Sequence, residues 1–307
     1  MKFRVIALAL ILTMLACSAA AFDIRSYIVE GTDRVLYGEN GEALRSDLFY
    51  LIRMPGKAAG LTGQSGKRDL LVRSLAGTEL FYRELGSIVE PLFCLSGLIG
   101  CAEDGQGGWL VCLELNGTAE SGTKIMVCAL EGNGAVRWAT VFGQIYSWTG
   151  CALAPDGQGG AYLSIASCDN YKLQIVRHFD AKGHITWKKT VEADGLVWTA
   201  FDGVCGEDGH FVVWGTAVSE RKKIYKVVCL ELDGEGKTSS VEAMDFSFCP
   251  DYGFFLRRSI NDGLLYALPS MSYREEKHLK AFLIPVNELP ETQAPSFMLQ
   301  DVGPDTY

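Results

Sequence analysis

The chain lacks the motifs of the common enzyme and metal-binding classes. It has only four histidines among 307 residues, and no two of them are spaced i, i+4. No C-x-x-C, H-E-x-x-H, P-loop, G-x-S-x-G or strand–helix G-x-G-x-x-G motif is present. These absences argue against a zinc motif, a nucleotide-binding loop and a hydrolase nucleophile. The sequence therefore predicts no catalytic residue, no metal ligand and no cofactor.

Basic charge is also scarce. The formal net charge is −9, and Lys and Arg form no cluster. An acidic chain of this kind is a poor match for nucleic acid or for an anionic membrane surface. The predicted partner is a protein or a small-molecule or glycan ligand, and membrane contact is expected only through a lipid anchor.

Helical periodicity is missing from the chain after its first 21 residues. No stretch there has a clear apolar period of 3.6 over about eleven residues. Short runs rich in Val, Ile, Leu and aromatic residues take its place, and the 34 glycines and nine prolines fit many tight turns. The sequence predicts an all-β chain.

A repeat of about 52 residues organises these short runs. Each copy has a strand, an Asp-Gly turn, a second strand, a polar link and a third strand. A glycine turn closes three of the copies, and Trp138 or Trp187 follows that turn in two of them. Asp-Gly pairs between apolar strands indicate hairpins. The steps between successive Asp-Gly pairs are 52, 52 and 54 residues, and the pairs begin at Asp104, Asp156, Asp208 and Asp262.

A four-stranded unit of this size cannot bury both its faces alone, so the repeat predicts blades arranged around an axis. We expect a β-propeller of about five blades, with six as the alternative in which the N-terminal and C-terminal strands share a sheet. The predicted domain spans residues 22–307: a degenerate first blade at 22–90, clear blades at 91–245 and a degenerate last blade at 246–307. In the first blade, Ile24–Val29 and Leu48–Arg53 are predicted strands, and Met54–Lys67 is a predicted glycine-rich loop.

Residues 1–21 have the pattern of a secretory signal peptide. Lys2 and Arg4 precede an uncharged apolar run, and cleavage is expected after Ala21. The alternative is a lipoprotein signal with lipidation of Cys17. Both predict an exported protein, periplasmic or extracellular, and the second anchors it to the cell envelope.

The segment from Phe179 to Trp187, FDAKGHITW, resembles the repeats of secreted bacterial β-propellers, including the PQQ-like or quinoprotein-like repeats. The resemblance is one of blade style and is strongest over residues 92–243. It implies a propeller fold whose roles range from scaffold to ligand binding and, in some members, catalysis.

Several residue types deserve a structural interpretation before a functional one. The DGQGG turns at Asp104 and Asp156 have too few acidic residues for a calcium loop and are interpreted as hairpin turns. Most cysteines fall within apolar strands and are interpreted as small buried residues, with a disulfide as the alternative that export would permit. Histidines are expected at the surface or at strand edges. Trp138 and Trp187 are expected to pack between blades.

Trp148 and Trp198 are the candidate binding residues, because both precede a strand predicted to line the central channel. The favoured function is an exported binding or scaffold module of unknown ligand. The alternatives are a structural envelope component and an enzyme at the channel mouth (a hydrolase, a lyase or a quinone-dependent oxidoreductase), in which Asp194 and Asp202 would act as acid or base.

Overall fold

The computed structural model describes the chain in segments. The side chains are described at most positions between 52 and 245. The predicted signal peptide, residues 1–21, and Cys17 within it lie outside the described residues. Those residues are 25–29, 35–37, 43–45, 49–54, 57–64, 67–74, 78–89, 93–116, 123–143, 151–166, 173–219, 221–245, 254–258, 265–269, 279–285 and 297–301.

The described residues form strands joined by turns, and none of them is helical. Within them no helix is long and apolar enough to cross a membrane. In chain order the strands are β1 (Arg25–Val29), β2 (Val35–Tyr37), β3 (Ala43–Arg45), β4 (Phe49–Met54), β5 (Lys57–Gln64), β6 (Lys67–Ser74), β7 (Glu79–Glu84), β8 (Cys94–Glu103), β9 (Trp109–Asn116), β10 (Thr123–Leu130), β11 (Val136–Phe142), β12 (Cys151–Pro155), β13 (Ala161–Ala166), β14 (Leu173–Phe179), β15 (Ile185–Ala193), β16 (Val197–Cys205), β17 (Phe211–Ser219), β18 (Ile224–Leu232), β19 (Thr238–Asp245), β20 (Phe254–Arg258), β21 (Leu265–Pro269), β22 (Leu279–Pro285) and β23 (Phe297–Asp301).

Twenty of the 23 strands make five antiparallel four-stranded blades of a β-propeller, and β2 and β3 form a separate two-stranded sheet. Blades 1 to 4 are the meanders β4–β7, β8–β11, β12–β15 and β16–β19, and blade 5 has the order β20-β21-β22-β1. The first strands of successive blades contact one another, and β20 contacts β4, so the ring closes. The prediction of an all-β propeller with five blades is confirmed.

The middle strands of a blade are buried on both faces because a neighbouring blade covers each face. In β9, Val111 and Leu113 belong to the apolar cluster that blade 2 shares with blade 1. Leu110 and Cys112, which point the other way, belong to the cluster shared with blade 3. The continuous apolar run of this strand therefore serves two interfaces at once.

An aromatic residue in the outer strand of one blade packs on the glycine turn of the next blade. The glycines have φ angles of 84°, 80° and 78°, which a residue with a Cβ adopts only at a cost. The prediction that the two tryptophans pack between blades is confirmed. The pairs are Phe81 with Gly134, Trp138 with Gly183, and Trp187 with Gly236.

Two predictions for the ends of the propeller are wrong. The predicted first-blade strand Ile24–Val29 is the outer strand of blade 5, where β1 pairs antiparallel with β22 from Val29↔Leu279 onward. Without β1, blade 5 would have three strands and an open edge. The C-terminal strand β23 joins blade 3 by pairing with β15. The six-blade alternative, in which both end strands share one sheet, does not occur.

The predicted loop Met54–Lys67 is also wrong, because it contains the strand β5. The alanines and glycines of this segment were the reason for predicting a loop. Ala58 and Ala59 are buried, and Leu61 belongs to the apolar cluster shared with blade 2. Glycine and alanine are weak strand formers, so packing between neighbouring strands decides the conformation of this segment.

The described cysteines are all free thiols. The interpretation as small buried residues is confirmed for Cys101, Cys112 and Cys128, while Cys94 is exposed. The thiols of Cys112 and Cys151 interact across the interface of blades 2 and 3. The remaining cysteines, Cys17, Cys168 and Cys249, lie outside the described residues, so a disulfide elsewhere stays a prediction.

Candidate functional site

The Asp-Gly turns of blades 2 and 3 are held by the aspartate side chain. Oδ1 of Asp104 accepts hydrogen bonds from the backbone N–H groups of Gln106 and Gly108, at 2.8 and 2.7 Å. Asp156 accepts the equivalent two bonds in blade 3. A Cβ at Gly108 would meet the carbonyl oxygen of Leu130, so the turn requires glycine there. The interpretation of these residues as hairpin turns is confirmed.

The corresponding turn of blade 4 is built differently. The N–H of Gly206 donates to the carbonyl of His210, as the N–H of Asp156 donates to the carbonyl of Gly160. Gly206 is therefore the structural equivalent of Asp156, and the sequence alignment of Asp208 with Asp156 is wrong by two residues. As a result His210 occupies the position that glycine holds in blades 2 and 3.

His210 faces two carboxylates. Its Nδ1 lies 2.5 Å from Oε1 of Glu231 on β18 and 3.8 Å from Oδ2 of Asp208. The carboxylate of Glu231 is held in place on its other oxygen, because the hydroxyl of Ser240 on β19 donates a hydrogen bond to Oε2 at 2.6 Å. Asp208 is fixed by its own turn, since its Oδ1 accepts the N–H of His210 at 3.1 Å. We call Asp208, His210 and Glu231 the blade 4 triad.

The electrostatics of the triad favour positive charge at its centre. The hydrogen bond with Glu231 raises the pKa of His210, and the charge of Asp208 adds to this shift. Hydrogen bonds from Ser240 and then His210 lower the pKa of Glu231. The carboxylate of Asp233, in the next turn, also raises the pKa of His210. The triad is acidic and open to solvent, with 31% of the His210 side chain exposed.

Blade 3 has a different histidine–carboxylate pair at the corresponding place. Nε2 of His178 lies 3.1 Å from Oδ2 of Asp156, and its Nδ1 lies 2.6 Å from the hydroxyl of Thr186. The imidazole packs against the rings of Tyr162 and Trp187, with centroids 4.5 and 6.0 Å away. Both ring nitrogens thus have protein partners, and the histidine is part of the packed interface.

The two blades share the position on the third strand but not the position on the turn, because His210 aligns with Gly160 and not with Asp156. His178 pairs with Tyr162 in the ladder of blade 3, and Glu231 pairs with Val212 at the equivalent point of blade 4. Blade 3 has the acid on the turn and the histidine on the third strand. Blade 4 has a histidine on the turn and the acid on the third strand, with Asp208 as a second acid.

The structure describes only one of the two candidate binding residues, Trp198. Trp148 lies outside the described residues. Trp198 is 0% exposed and belongs to the apolar cluster between blades 3 and 4, where its carbonyl accepts a hydrogen bond from Gln174 at 3.0 Å. An indole that contacts a ligand must be accessible, so this placement gives the binding role of Trp198 no support. That role stays a prediction for both residues.

Of the two candidate acids of the enzyme alternative, only Asp202 lies within β16. Asp194 is exposed in the tight turn before this strand, with φ at 43°. Asp202 is half-buried within the strand, and its Oδ1 accepts the N–H of Gly203 at 2.8 Å.

The blade 4 triad was not found by the sequence analysis. Glu231 is far from His210 in the chain, and only the pairing of β17 with β18 brings the two together. The one available signal was the break in the turn pattern, where the DGQGG of blades 2 and 3 gives way to GEDGH. His184 is exposed, as predicted, whereas His178 is largely buried.

No family model matches the chain, and no curated protein matches it. Among solved structures, the chain is similar to BBS1N, crystallised in complex with ARL6DN, at 13% identity and a TM-score of 0.41, over 87% of this chain and 79% of that chain. It is also similar to a member of the DUF4221 family from Bacteroides vulgatus, at 9% identity and a TM-score of 0.28, over 92% of this chain and 99% of that chain. The assignment to the β-propellers rests on the sheet topology described above.

Proposed function

We propose that this chain is an exported β-propeller of the secreted bacterial type, acting as a binding and scaffold module for a protein partner. The partner contributes an extended segment that adds to the outer edge of blade 2. The observation that carries this proposal is the pairing of β23 with β15, because it places a fifth strand on the edge of a blade. Five residue pairs, from Lys189↔Asp301 to Ala193↔Phe297, make that contact.

The outer edge of blade 2 is less protected than the outer edges of blades 1 and 4. Among the described strand pairs, β11 pairs only with β10. Charged residues on an edge strand discourage pairing, and β7 has three and β19 two, whereas β11 has only Arg137. Arg137 is itself engaged in an ion pair with Asp104 at 3.0 Å.

The same strand exposes apolar side chains. Val136 is 41% exposed and Val141 is 36% exposed, and Ala139 lies exposed between them. All three are on the face turned toward blade 1, because they pair with residues of β10 that pack in that direction. An added strand would gain main-chain hydrogen bonds from the edge and side-chain contacts from this apolar row.

The ring holds this edge in a fixed position. Nε1 of Trp138, in the same strand, donates to the carbonyl of Gly159 in blade 3 at 3.1 Å. The hydroxyl of Thr140 donates to the carbonyl of Gly183 at 2.5 Å. A strand already anchored to the next blade loses little freedom when a partner binds, which lowers the cost of association.

The test is an affinity capture from the cell envelope of the source organism with the tagged mature chain, residues 22–307. The edge variant combines Ala139→Lys and Val141→Lys, which place two charges on β11. Its control is Val204→Lys, since Val204 is 42% exposed but lies on the inner strand β16. Circular dichroism confirms that both variants fold.

We expect one protein to be recovered in near-equal amount with the wild type and with the Val204→Lys control, and to be lost with the edge variant. Recovery that is unaffected by the edge variant would place the partner on another surface. Recovery of no protein by any form would overturn the scaffold function. Fractionation and N-terminal analysis of the full chain test export, and they distinguish cleavage after Ala21 from lipidation of Cys17.

A further inference from the structure

We propose that the blade 4 triad binds a divalent transition-metal ion of the zinc class. Asp208, His210 and Glu231 each offer one ligand atom, and these atoms all lie within 4.8 Å of one another. One imidazole nitrogen and two carboxylate oxygens form a ligand set that zinc accepts in proteins. The site is additional to the partner surface of blade 2 and does not depend on it.

Each carboxylate of the triad has one oxygen committed to orientation and one directed at the imidazole. Ser240 holds Oε2 of Glu231, which leaves Oε1 toward Nδ1 of His210. The N–H of His210 holds Oδ1 of Asp208, which leaves Oδ2 on the same side. Orientation of ligands by a second set of hydrogen bonds is a regular property of metal sites.

The spacing of the ligand atoms suits an ion after a small adjustment. Ligands bound about 2.1 Å from a zinc ion lie roughly 3 to 3.4 Å apart. Nδ1 to Oδ2 of Asp208 is 3.8 Å, and Nδ1 to Oε1 of Glu231 is 2.5 Å. The ion would take the place of the proton that Nδ1 shares with Glu231, and the two groups would move apart by about half an ångström.

The imidazole and the open surface indicate which ions the site selects. Calcium and magnesium prefer oxygen ligands alone, so a nitrogen ligand favours zinc and its neighbours. The side chains of His210, Glu231 and Asp208 are 31%, 28% and 65% exposed, which leaves room for water to complete the coordination. The two carboxylates beside the imidazole contribute negative charge, which attracts a cation.

Blade 3 provides an internal control. Its histidine–carboxylate pair, His178 and Asp156, is about as closely spaced as the pairs of the triad. However, both ring nitrogens of His178 have protein partners, and aromatic rings cover the imidazole. This pair lacks a second carboxylate and a free approach, so it should not bind an ion.

The test is calorimetric titration of the mature chain, residues 22–307, with zinc after dialysis against a chelator. The protein carries a tag without histidine, and the exposed Cys94 is replaced by serine to remove a competing thiol. We expect one ion per chain with micromolar affinity. Glu231→Gln and Asp208→Asn keep the side-chain shapes, and each should weaken binding by more than the roughly 10- to 100-fold that loss of a residue orienting a ligand costs. His178→Ala should leave it unchanged.

Cobalt supplies a second readout of the ligand types. Co²⁺ bound by the triad should give visible d–d absorption without the near-ultraviolet charge-transfer band of a thiolate ligand. That absorption should disappear in Glu231→Gln and persist in His178→Ala. The proposal is overturned if the wild type binds no stoichiometric ion, if binding is equal in the Glu231→Gln variant, or if the spectrum reports a thiolate.

Discussion

The indole ring of Trp138 covers Gly183 of the next blade so closely that a Cβ on that glycine would lie 2.8 Å from Cε3 of the ring. The same indole donates its N–H to the carbonyl of Gly159. The Trp138 side chain of blade 2 therefore contacts two turns of blade 3. It packs against the turn at Gly183 and donates a hydrogen bond to the turn at Gly159. We therefore expect the interface to be destabilised by a smaller ring at Trp138 and by a larger residue at Gly183.

Replacement of Gly183 by alanine should destabilise the protein more than replacement of Gly195. Both glycines have positive φ, at 80° and 72°, so both variants share the backbone cost of about 1 kcal/mol. Only the Cβ of Gly183→Ala meets Trp138, whereas nothing lies within 4 Å at Gly195. Urea denaturation should show an additional loss of about 1 to 3 kcal/mol for Gly183→Ala. Equal losses would show that the ring moves aside freely.

Truncation of Trp138 separates packing from hydrogen bonding. Trp138→Phe keeps an aromatic ring but leaves the carbonyl of Gly159 without its donor, and should cost about 1 to 2 kcal/mol. Trp138→Ala also removes the stacking on Phe179, whose centroid is 5.8 Å away, and should cost about 3 to 5 kcal/mol. The free energy of unfolding in urea measures both, and Val136→Ala is the exposed control on the same strand. If Trp138→Phe lost as much stability as Trp138→Ala, packing and hydrogen bonding would not make the separate contributions expected here.

Acid should unfold the protein partly through Asp156. Burial raises the pKa of this carboxyl, but hydrogen bonds from His178 and the turn amides outweigh burial, so its pKa in the folded chain lies below the ordinary 3.8. Because the pKa of this carboxyl is lower in the folded than in the unfolded chain, the carboxylate stabilises the fold at pH values above the unfolded pKa. This stabilisation is lost as pH falls through the folded pKa. The urea midpoint of Asp156→Asn should therefore depend less on pH between about 5 and 2 than that of the wild type. Parallel pH curves would contradict this role.

The described cysteines should differ in reactivity by their burial. Cys94 is exposed and should react quickly with a maleimide in the native protein. Burial raises the pKa of Cys128 to about 12 and that of Cys112 well above its usual range, so both should stay protected until the protein unfolds. Mass spectrometry of peptides after timed labelling distinguishes the sites. Labelling of Cys128 as fast as Cys94 would show that blades 1 and 2 separate readily.

The sequence predicted the strands of blades 2 to 4 well because each blade repeats a local signal. Apolar runs bounded by Asp-Gly or glycine turns define hairpins within a few residues, and hairpins need no distant information. β5 was missed because its alanines and glycines carry no strand signal, and their burial comes from neighbouring strands. The place of β1 was missed because its partner β22 is at the other end of the chain.

The candidate site was beyond sequence reasoning for a similar reason. His210 and Glu231 meet because β17 and β18 pair in one register, and a slip of one residue would turn Glu231 to the other face. The repeat pattern aligned Asp208-Gly209 with Asp104-Gly105 and Asp156-Gly157. That alignment therefore missed that Gly206 begins the turn of blade 4.

The pairing of Val29 with Leu279 has a consequence for the order in which the molecule is made. The first described strand leaves the ribosome, and in an exported chain the translocation channel, long before its partner exists. Its backbone edge stays unpaired while four blades are synthesised, which is the interval in which a nascent strand is exposed to wrong partners. Closing such a long loop is slow, so the finished ring should form only after release of nearly the whole chain.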